Sequence, residues 1–374
     1  MNFKTVLTPS FVVDEAKLQR NLDTLAAVKA RTGCKIILAL KGFAMWNTFP
    51  LLRKTLDGVC ASSPWEARLG REEFQREVHA FAAAYSEADI HELQLLCDEI
   101  DFNSFAQWNQ FKPLFQQLKK PVKVGLRINP ECSTGRTPMY DPCAPKSRLG
   151  ITRNQFDGQS LEGISGLHFH TLCEQNADAL EITLKAVEEK FGEFLPQMEW
   201  VNFGGGHHIT RDDYDIDLLC NLINQFKAKY GVQVILEPGE AVALHTGVLV
   251  STVLDVVQNH GEIAILDCSC TCHMPDVLEM PYRPNILGAG NPNEKPYTYR
   301  LAGLSCLAGD VIGDYSFDQP LQPGDRLIFE DMAHYTMVKT TMFNGIKHPS
   351  IALQRGENVE IIREFHYEDY KNRL

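Results

Sequence analysis

At two places in the sequence, an apolar run is followed directly by residues that could take part in chemistry. Lys41 comes directly after the run KIILAL. A lysine at the end of a buried strand can be desolvated, which lowers the pKa of its amine and makes it a Schiff-base candidate. The alternative is a lysine that marks the exit of a strand to solvent. Gly204, Gly205 and Gly206 follow the run VNF, and their unobstructed N–H groups could bind a phosphate or form a tight turn.

Four more polar residues follow or flank similar runs. Glu237, in LEPGE, has its direction fixed by the Pro-Gly turn, so it could hold a protonated heterocycle nitrogen or cap that turn. His170 ends GLHFH, and His168 lies two residues earlier on the same strand face. Arg148 could pair with an anion or a cofactor ring oxygen, or lie on the surface. A lysine, a flat ring, a phosphate nest and an acid are together the groups that pyridoxal phosphate needs.

These residues lie within a regular alternation of apolar runs and helix-like stretches. The alternation predicts βαβ units, and eight runs in roughly 240 residues match a (β/α)₈ TIM-type barrel over residues 8–245. The runs are KIILALK (35–41), GVCASS (58–63), HAFAAAY (79–85), EIDFNS (99–104), VKVGLRIN (122–129), GISGLHFH (163–170), MEWVNFGGG (198–206) and VQVILEPGE (232–240). The lysine, histidine, glycines and glutamate end the first, sixth, seventh and eighth runs, where such a barrel holds its chemistry.

The rhythm changes after the eighth run, and a mostly β domain is predicted over residues 246–374. Its predicted strands are 248–258, 262–272, 297–303 and 325–333, with one helix at 335–343. The strand-like segment 8–14 could join either domain, and residues 1–7 are also left open. The predicted fold class is α/β, a barrel followed by a C-terminal mostly β domain.

The composition excludes several classes of protein. Of 374 residues, 44% are hydrophobic and 22% are charged, which is typical of a globular chain. The longest apolar run is too short to cross a bilayer, and the N-terminus lacks the apolar core of a secretory signal. The net charge of −12 argues against a nucleic-acid partner.

The 11 cysteines, without an export signal, indicate a reducing cytoplasm and mostly buried thiols. Cys268, Cys270, Cys272 and His273 invite a zinc interpretation. Cysteines two apart on a strand share one face, whereas structural zinc sites use Cys-x₂₋₄-Cys pairs on turns. We therefore interpret the four as packed side chains and predict no metal.

Several longer motifs resemble a known family over nearly the whole chain. They are ALKGFA (39–44), GVCASSPWE (58–66), GLHFHTLCE (167–174), NFGGGHHI (202–209), LEPGEAV (236–242), DCSCTCHMPDVLEMPYRP (267–284) and GLSCLAGD (303–310). The family is the alanine-racemase-like (fold type III) pyridoxal phosphate enzymes, and the closest group within it is the carboxynorspermidine/carboxyspermidine decarboxylases.

The resemblance implies a role for each cofactor residue. Lys41 resembles the lysine that carries pyridoxal 5′-phosphate, and His170 the residue stacked on its ring. Arg148 resembles a further cofactor contact. The three glycines and Tyr335 resemble residues that contact the cofactor's phosphate. Glu237 matches the acid that keeps the pyridine nitrogen protonated, which makes the ring a strong electron sink and favours decarboxylation.

The resemblance also implies a homodimer with shared active sites. Cys306 and Asp310, in SCLAGD, resemble a segment of ornithine-type decarboxylases. There the cysteine reaches the partner's site and protonates the α-carbon after CO₂ leaves. Its spacing alone favours an ordinary buried cysteine, and only the resemblance reverses that interpretation.

Two acids indicate the substrate. Amino-acid decarboxylases of this fold usually carry arginine after EPG, whereas this chain has Glu240, which would repel a distal carboxylate and attract an amine. Asp276 falls where ornithine-type enzymes hold the distal amino group. Two acids suit a long substrate that carries amines, such as carboxynorspermidine and carboxyspermidine. The products of their decarboxylation are norspermidine and spermidine.

The sequence leaves two other functions open. A diaminopimelate or other amino-acid decarboxylase shares the fold, although Glu240 counts against it. A non-catalytic pyridoxal phosphate carrier is the other, although the second domain and Cys306 count against it.

Overall fold

The computed structural model describes the whole chain except residues 1, 2, 4, 5, 119 and 136. The chain forms two compact units, Arg20–Val242 and the segment before Arg20 together with Ala243–Leu374. The strands are β1 (Ser10–Asp14), β2 (Lys35–Ala39), β3 (Gly58–Ala61), β4 (Glu77–Phe81), β5 (Glu99–Phe102), β6 (Lys123–Arg127), β7 (Gly166–His168), β8 (Trp200–Asn202), β9 (Gln233–Leu236), β10 (Gly247–Gln258), β11 (Glu262–Leu266), β12 (Tyr297–Ala302), β13 (Val311–Phe317), β14 (Arg326–Glu330), β15 (Ser350–Arg355) and β16 (Asn358–Arg363).

The helices connect these strands. The α-helices are α1 (Glu15–Thr32), α2 (Phe49–Leu52), α3 (Pro64–Leu69), α4 (Glu87–Leu96), α5 (Phe105–Phe115), α6 (Ala177–Phe191), α7 (Ile216–Tyr230), α8 (Glu240–Ala243), α9 (Cys270–His273), α10 (Asp276–Glu279) and α11 (Tyr367–Lys371). Short polar side chains fix several helix starts. The Ser63 and Ser104 hydroxyls, for example, each accept an N–H three residues on at 3.2 Å.

Strands β2 to β9 form a closed barrel, and each neighbouring pair is parallel. Each of the eight predicted runs overlaps one of these strands, so the barrel prediction is confirmed. Trp200 fills space that two glycines leave open. A Cβ at Gly166 would lie 2.1 Å from the Trp200 indole, and one at Gly125 would lie 2.3 Å from it.

The second unit is built on a sheet in the order β13-β12-β11-β10-β1-β15-β16, with β14 also paired to β10. β1 pairs antiparallel with β10 and parallel with β15, so the segment 8–14 lies in the sheet. Val12, Val250 and Ala352 form part of its buried core. The barrel unit therefore starts at Arg20, not at the predicted residue 8.

Parts of the second-domain prediction are wrong. β11 ends at Leu266, and α9 begins at Cys270, where the Ser269 hydroxyl accepts the Cys272 N–H at 3.2 Å. The cysteines therefore do not alternate along one strand. Residues 335–343, all described, do not form the predicted helix: Tyr335 lies at φ +41°, residues 336–339 form a turn, and a short 3₁₀ helix begins at Phe343. Strands β13, β15 and β16 lie outside the predicted set.

The described residues also bear on membrane spans and metal sites. They contain no helix that is both long and apolar enough to cross a bilayer. They also contain no group of three or more His, Cys, Asp or Glu side chains placed to hold a metal ion.

Candidate active site

Four loops meet at the C-terminal end of the barrel, after β2, β7, β8 and β9. The Ala39 N–H donates to the Pro238 carbonyl at 3.1 Å, which joins the first and last of these loops. The Glu237 N–H donates to the Gly204 carbonyl at 2.8 Å. These bonds bring the loops that carry Lys41, the three glycines and Glu237 to one place, as the barrel predicts. The Gly205 N–H, which donates to His170 Nδ1 at 2.8 Å, joins the loop after β7 to them.

Lys41 lies in the turn after β2. The Leu40 N–H donates to the Cys60 carbonyl at 3.1 Å, which fixes the start of this turn. A Cβ at Gly42 would lie 2.9 Å from the Gly239 Cα, so only glycine allows the turn to approach the β9 loop this closely. The Lys41 side chain is exposed, so the predicted desolvation by the strand's surroundings is not found.

Glu237 is a buried carboxylate with fixed partners. It is 6% exposed, and its Oε1 accepts a hydrogen bond from Asn202 Nδ2 at 2.6 Å. Its Oε2 lies 3.5 Å from His168 Nε2. Burial alone would raise the pKa of Glu237, but the charge of His168 and the bonds from Asn202 and Cys60 outweigh burial and lower it. Glu237 is therefore suited to hold a protonated ring nitrogen.

His170 presents a neutral ring in a fixed orientation. Its Nδ1 accepts the Gly205 N–H at 2.8 Å, so in the neutral ring the proton lies on Nε2. Desolvation, with the nearby charges of Lys41 and Arg127, holds the pKa of His170 well below its usual value. A neutral, oriented imidazole is a suitable surface for a flat cofactor ring.

Arg127 supports His170 from within the barrel. Its guanidinium donates to the His170 carbonyl at 3.1 Å and lies 4.5 Å from the centre of the Phe81 ring. Burial lowers the pKa of Arg127 to about 10. Its buried positive charge adds to that of Lys41 on the same side of the barrel.

The glycine loop is shaped for close approach, which corrects part of the phosphate-nest prediction. A Cβ at Gly205 would lie 2.4 Å from the Glu237 carbonyl, and Gly206 lies at φ +79°. The Gly204 N–H donates to Asn202 Oδ1 at 2.9 Å, and the Gly205 N–H is taken by His170. Of the three described N–H groups, that of Gly206 remains the candidate phosphate donor.

Glu240 begins α8 beside the Lys41 turn. A Cβ at Gly42 would lie 3.0 Å from the Glu240 nitrogen. The Glu240 Oε2 lies 3.2 Å from Nε2 of the buried His208. The imidazole thus lies beside the acid that the sequence assigns to substrate binding, whose side chain is partly exposed.

Arg148 is exposed in the long loop after β6. Asn103 clamps this loop on both sides of it. The Asn103 amide donates to the Arg148 carbonyl at 2.7 Å, and its oxygen accepts the Gly150 N–H at 2.7 Å. The backbone at Arg148 is therefore fixed, and its role at the cofactor remains a prediction.

Cys306 and Asp310 lie in one turn of the sheet unit. Cys306 is exposed, and its N–H donates to Asn344 Oδ1 at 2.8 Å. Asp310 is buried, and both its oxygens accept hydrogen bonds, including those from the Ser269 hydroxyl at 2.8 Å and the Ser305 N–H at 3.1 Å. This geometry indicates that Asp310 anchors the Cys306 turn, and its role as a substrate ligand stays a prediction.

The two other predicted residues of the sheet unit are held by their own surroundings. Asp276 begins α10 and forms an ion pair with Lys339, which also pairs with Glu279 at 2.6 Å. A substrate amine would have to replace Lys339 at Asp276. Tyr335 is partly buried, and its backbone is strained at φ +41°. It starts a turn that is closed by the Lys339 N–H, which donates to the Tyr335 carbonyl at 2.9 Å.

The sequence missed several residues that orient the predicted ones. Asn202 holds both Glu237 and the glycine loop, Arg127 supports His170, and His208 contacts Glu240. Two of these residues could have been found from their position in the sequence. Asn202 ends β8, and Arg127 ends β6, so each polar side chain follows apolar residues at the end of a barrel strand.

The barrel residues fit pyridoxal phosphate. Lys41 offers an accessible amine, His170 a neutral ring, Glu237 an ionised carboxylate aimed from the barrel interior, and Gly206 a backbone donor. When bound, this cofactor takes up the electron pair that a departing carboxylate leaves behind. The site therefore has the groups to bind the cofactor and keep its ring nitrogen protonated.

Comparison with known proteins agrees with this interpretation of the site. Residues 10–333 match the family described as "Pyridoxal-dependent decarboxylase, C-terminal sheet domain". A carboxyaminopropylagmatine decarboxylase of Synechocystis is 50% identical, covering 98% of this chain and 95% of the relative. A carboxynorspermidine/carboxyspermidine decarboxylase of Campylobacter jejuni is 44% identical, and the match covers 100% of each chain. Diaminopimelate decarboxylases match at only 20–25% identity.

A solved structure gives the same result. The carboxynorspermidine decarboxylase of Campylobacter jejuni, complexed with norspermidine, matches with a TM-score of 0.92, 44% identity, and coverage of 99% of this chain and 100% of that chain. The chain therefore belongs to the pyridoxal-dependent decarboxylases, carboxy-lyases that use pyridoxal 5′-phosphate, in the branch that contains the carboxynorspermidine/carboxyspermidine decarboxylases.

Proposed function

We propose that the protein decarboxylates carboxynorspermidine and carboxyspermidine to norspermidine and spermidine in polyamine biosynthesis. The observation that carries this choice is Glu240, an acid 3.2 Å from His208 and beside the Lys41 turn. An acid at this position attracts the distal ammonium of a polyamine precursor and repels the distal carboxylate of diaminopimelate. In the reaction, one carboxylate leaves as CO₂ and the α-carbon takes up one proton.

The chain's own residues divide the work. Lys41 would hold the cofactor and release it to the substrate's α-amine. Glu237, kept ionised by its neighbours, pairs with the protonated ring nitrogen. The Cys306 thiol gives its proton to the α-carbon and regains one from water. His170, supported by Arg127, would fix the plane of the ring, and Glu240 with Asp276 would orient the chain of amines.

The enzyme works as a homodimer in this proposal. Cys306 is exposed on its own unit, next to Leu304 and Leu307, which are 42% and 43% exposed. Exposed apolar side chains beside an exposed cysteine favour a turn that is buried in a protein–protein interface. Each active site then takes its acid from Cys306 of the partner subunit.

A second substrate has a specific observation in its favour. The relative that is 50% identical bears the name of carboxyaminopropylagmatine, whose terminal group is a guanidinium instead of an ammonium. Glu240 and Asp276 could hold either cation, because carboxylates bind both. A decarboxylation assay that compares the two carboxy-polyamines, carboxyaminopropylagmatine, diaminopimelate, ornithine and arginine decides between them.

The location we propose is the cytoplasm. All 11 cysteines are free thiols, and most of them are buried in the interior of their units. Free thiols in this number suit a reducing compartment.

Reversing the charge at Glu240 is expected to change substrate preference. Glu240→Arg should lower kcat/KM for carboxynorspermidine about 10²-fold, because like charges at a binding site cost several kcal/mol. Glu240→Gln should lower it less, and neither change should lower turnover of diaminopimelate. The matched control is Glu357→Arg, the same charge change at an exposed turn between β15 and β16, which should leave every rate unchanged. Equal losses for carboxynorspermidine and diaminopimelate in Glu240→Arg would show that Glu240 does not select the substrate.

A further inference from the structure

His168 lies between two buried carboxylates inside the barrel, below the candidate active site. Its Nδ1 is 2.8 Å from Asp101 Oδ2, and its Nε2 is 3.5 Å from Glu237 Oε2. His168, Asp101 and Glu237 are 2%, 3% and 6% exposed, so water does little to screen them. Each nitrogen thus lies at ion-pair distance from a buried carboxylate, and an imidazole can present a proton on both sides only when it carries two protons and a positive charge.

The barrel is built to hold this arrangement. The Phe81 ring meets His168 edge to face, with 5.5 Å between ring centres and an angle of 88°. A Cβ at Gly125 would lie 2.1 Å from Asp101 Oδ1, so the glycine on β6 leaves the space that the Asp101 carboxylate occupies. His168 is therefore fixed by packing on one side and by a carboxylate on another.

A second ionic group lies deeper in the barrel. His79 is 3.1 Å from Glu99 and 3.2 Å from Glu77, which pairs with Lys35 at 2.7 Å. These four residues line a cavity of about 360 Å³ at the N-terminal end of the barrel. Burial opposes the charge on His79, but the two carboxylates outweigh it and raise the pKa of His79 to about 10.

Glu237 is thus surrounded by charges of both signs. The charged or titratable groups that act on it include His168, Cys60, His79, Glu99 and Arg127. Asp101 and Lys41 act on the neighbouring Cys60. Glu99 repels a second buried carboxylate and would favour protonated Glu237. Of the two buried histidines in this set, His168 faces the Glu237 carboxylate directly, and Asp101 holds its other nitrogen.

We propose that His168, oriented by Asp101, is a positioning residue that keeps Glu237 ionised. This inference rests on the proposed function, because it concerns the proton shared by Glu237 and the cofactor's ring nitrogen. With a cation at His168, the proton stays on the ring nitrogen and Glu237 remains a carboxylate. Without that cation, the proton moves to Glu237 and the ring loses its positive charge.

The test is the ¹⁵N resonance of labelled pyridoxal phosphate bound to the full-length protein. In the wild type it should lie at the position of a protonated ring nitrogen. In His168→Gln it should move most of the way to the unprotonated position, and kcat should fall about 10–10²-fold. Asp101→Asn, which keeps the shape of the side chain, should move the resonance in the same direction and serves as the second variant if His168→Gln does not fold.

Two controls separate this role from simple structural support. His207→Gln removes another buried histidine, one whose Nδ1 is 3.5 Å from the Tyr214 hydroxyl, and should leave the resonance in place. In a Glu237→Gln background, His168→Gln should cause no further shift, because its effect passes through Glu237.

Two results would overturn the inference. One is an unchanged resonance in both His168→Gln and Asp101→Asn, whatever happens to kcat. The other is an additional shift in the Glu237→Gln background. A wild type that shows the protonated nitrogen and its loss in both variants, yet decarboxylates no polyamine precursor, would contradict the proposed substrate while supporting the inference.

Discussion

Lys41→Ala is expected to abolish decarboxylation, with a loss on the order of 10⁴-fold or more, because the lysine both holds the cofactor and transfers protons during its exchange. The variant should also lose the visible absorbance of the lysine–cofactor bond. Lys41 is exposed at the end of β2, so its replacement should leave the barrel folded. An unfolding free energy within about 0.5 kcal/mol of the wild type is expected.

The matched control is Lys35→Ala on the same strand. Lys35 begins β2 at the opposite end of the barrel, where it pairs with Glu77. Its replacement removes a lysine from β2 without touching the site, so absorbance and kcat should stay near those of the wild type. Visible absorbance that persists in Lys41→Ala would refute the assignment of Lys41.

Cys306→Ala is expected to lower kcat by about 10²–10⁴-fold, because it removes the acid that protonates the α-carbon. Cofactor absorbance should not change, since Cys306 does not hold the cofactor in the proposed mechanism. Cys132→Ala is the control, because Cys132 is a partly buried cysteine outside the site, and it should retain full activity.

Mixing the two inactive variants tests whether sites are shared. A mixed dimer of Lys41→Ala and Cys306→Ala contains one site with both groups intact. Random reassociation should therefore restore roughly a quarter of the wild-type activity, since about half of the dimers are mixed and each has one complete site. Activity that stays at the level of the single variants would show that Cys306 acts within its own subunit or not at all.

The barrel could be predicted from sequence because its signal is local and repeated. Each strand is a short apolar run, and the chemistry lies where the runs end, so the order of runs along the chain is enough to place Lys41, His170 and Glu237 at one end of the barrel. His168 could be placed behind His170 by the alternation of side chains along β7.

The remainder depends on contacts between distant segments. β1 resembles a barrel strand in composition, and only its pairing with β10 and β15 assigns it to the sheet. The N–H groups of Gly204 and Gly205 are used by Asn202 and His170, which a glycine-rich motif cannot reveal.

The acids of the second unit show the same limit. The partners of Asp310 come from Ser269, Cys270 and the Cys306 turn, and Lys339 neutralises Asp276 from 63 residues away. The sequence shows that a carboxylate is present at each position. Whether that carboxylate can bind a substrate amine depends on which cations and N–H groups the fold brings to it.

The most direct test of the proposed function is the ratio of two specificity constants for the purified, cofactor-loaded protein. We predict that kcat/KM for carboxynorspermidine exceeds kcat/KM for diaminopimelate by at least about 10²-fold, because Glu240 attracts an amine and repels a carboxylate. A ratio below one would contradict the proposed function and make the protein a diaminopimelate decarboxylase.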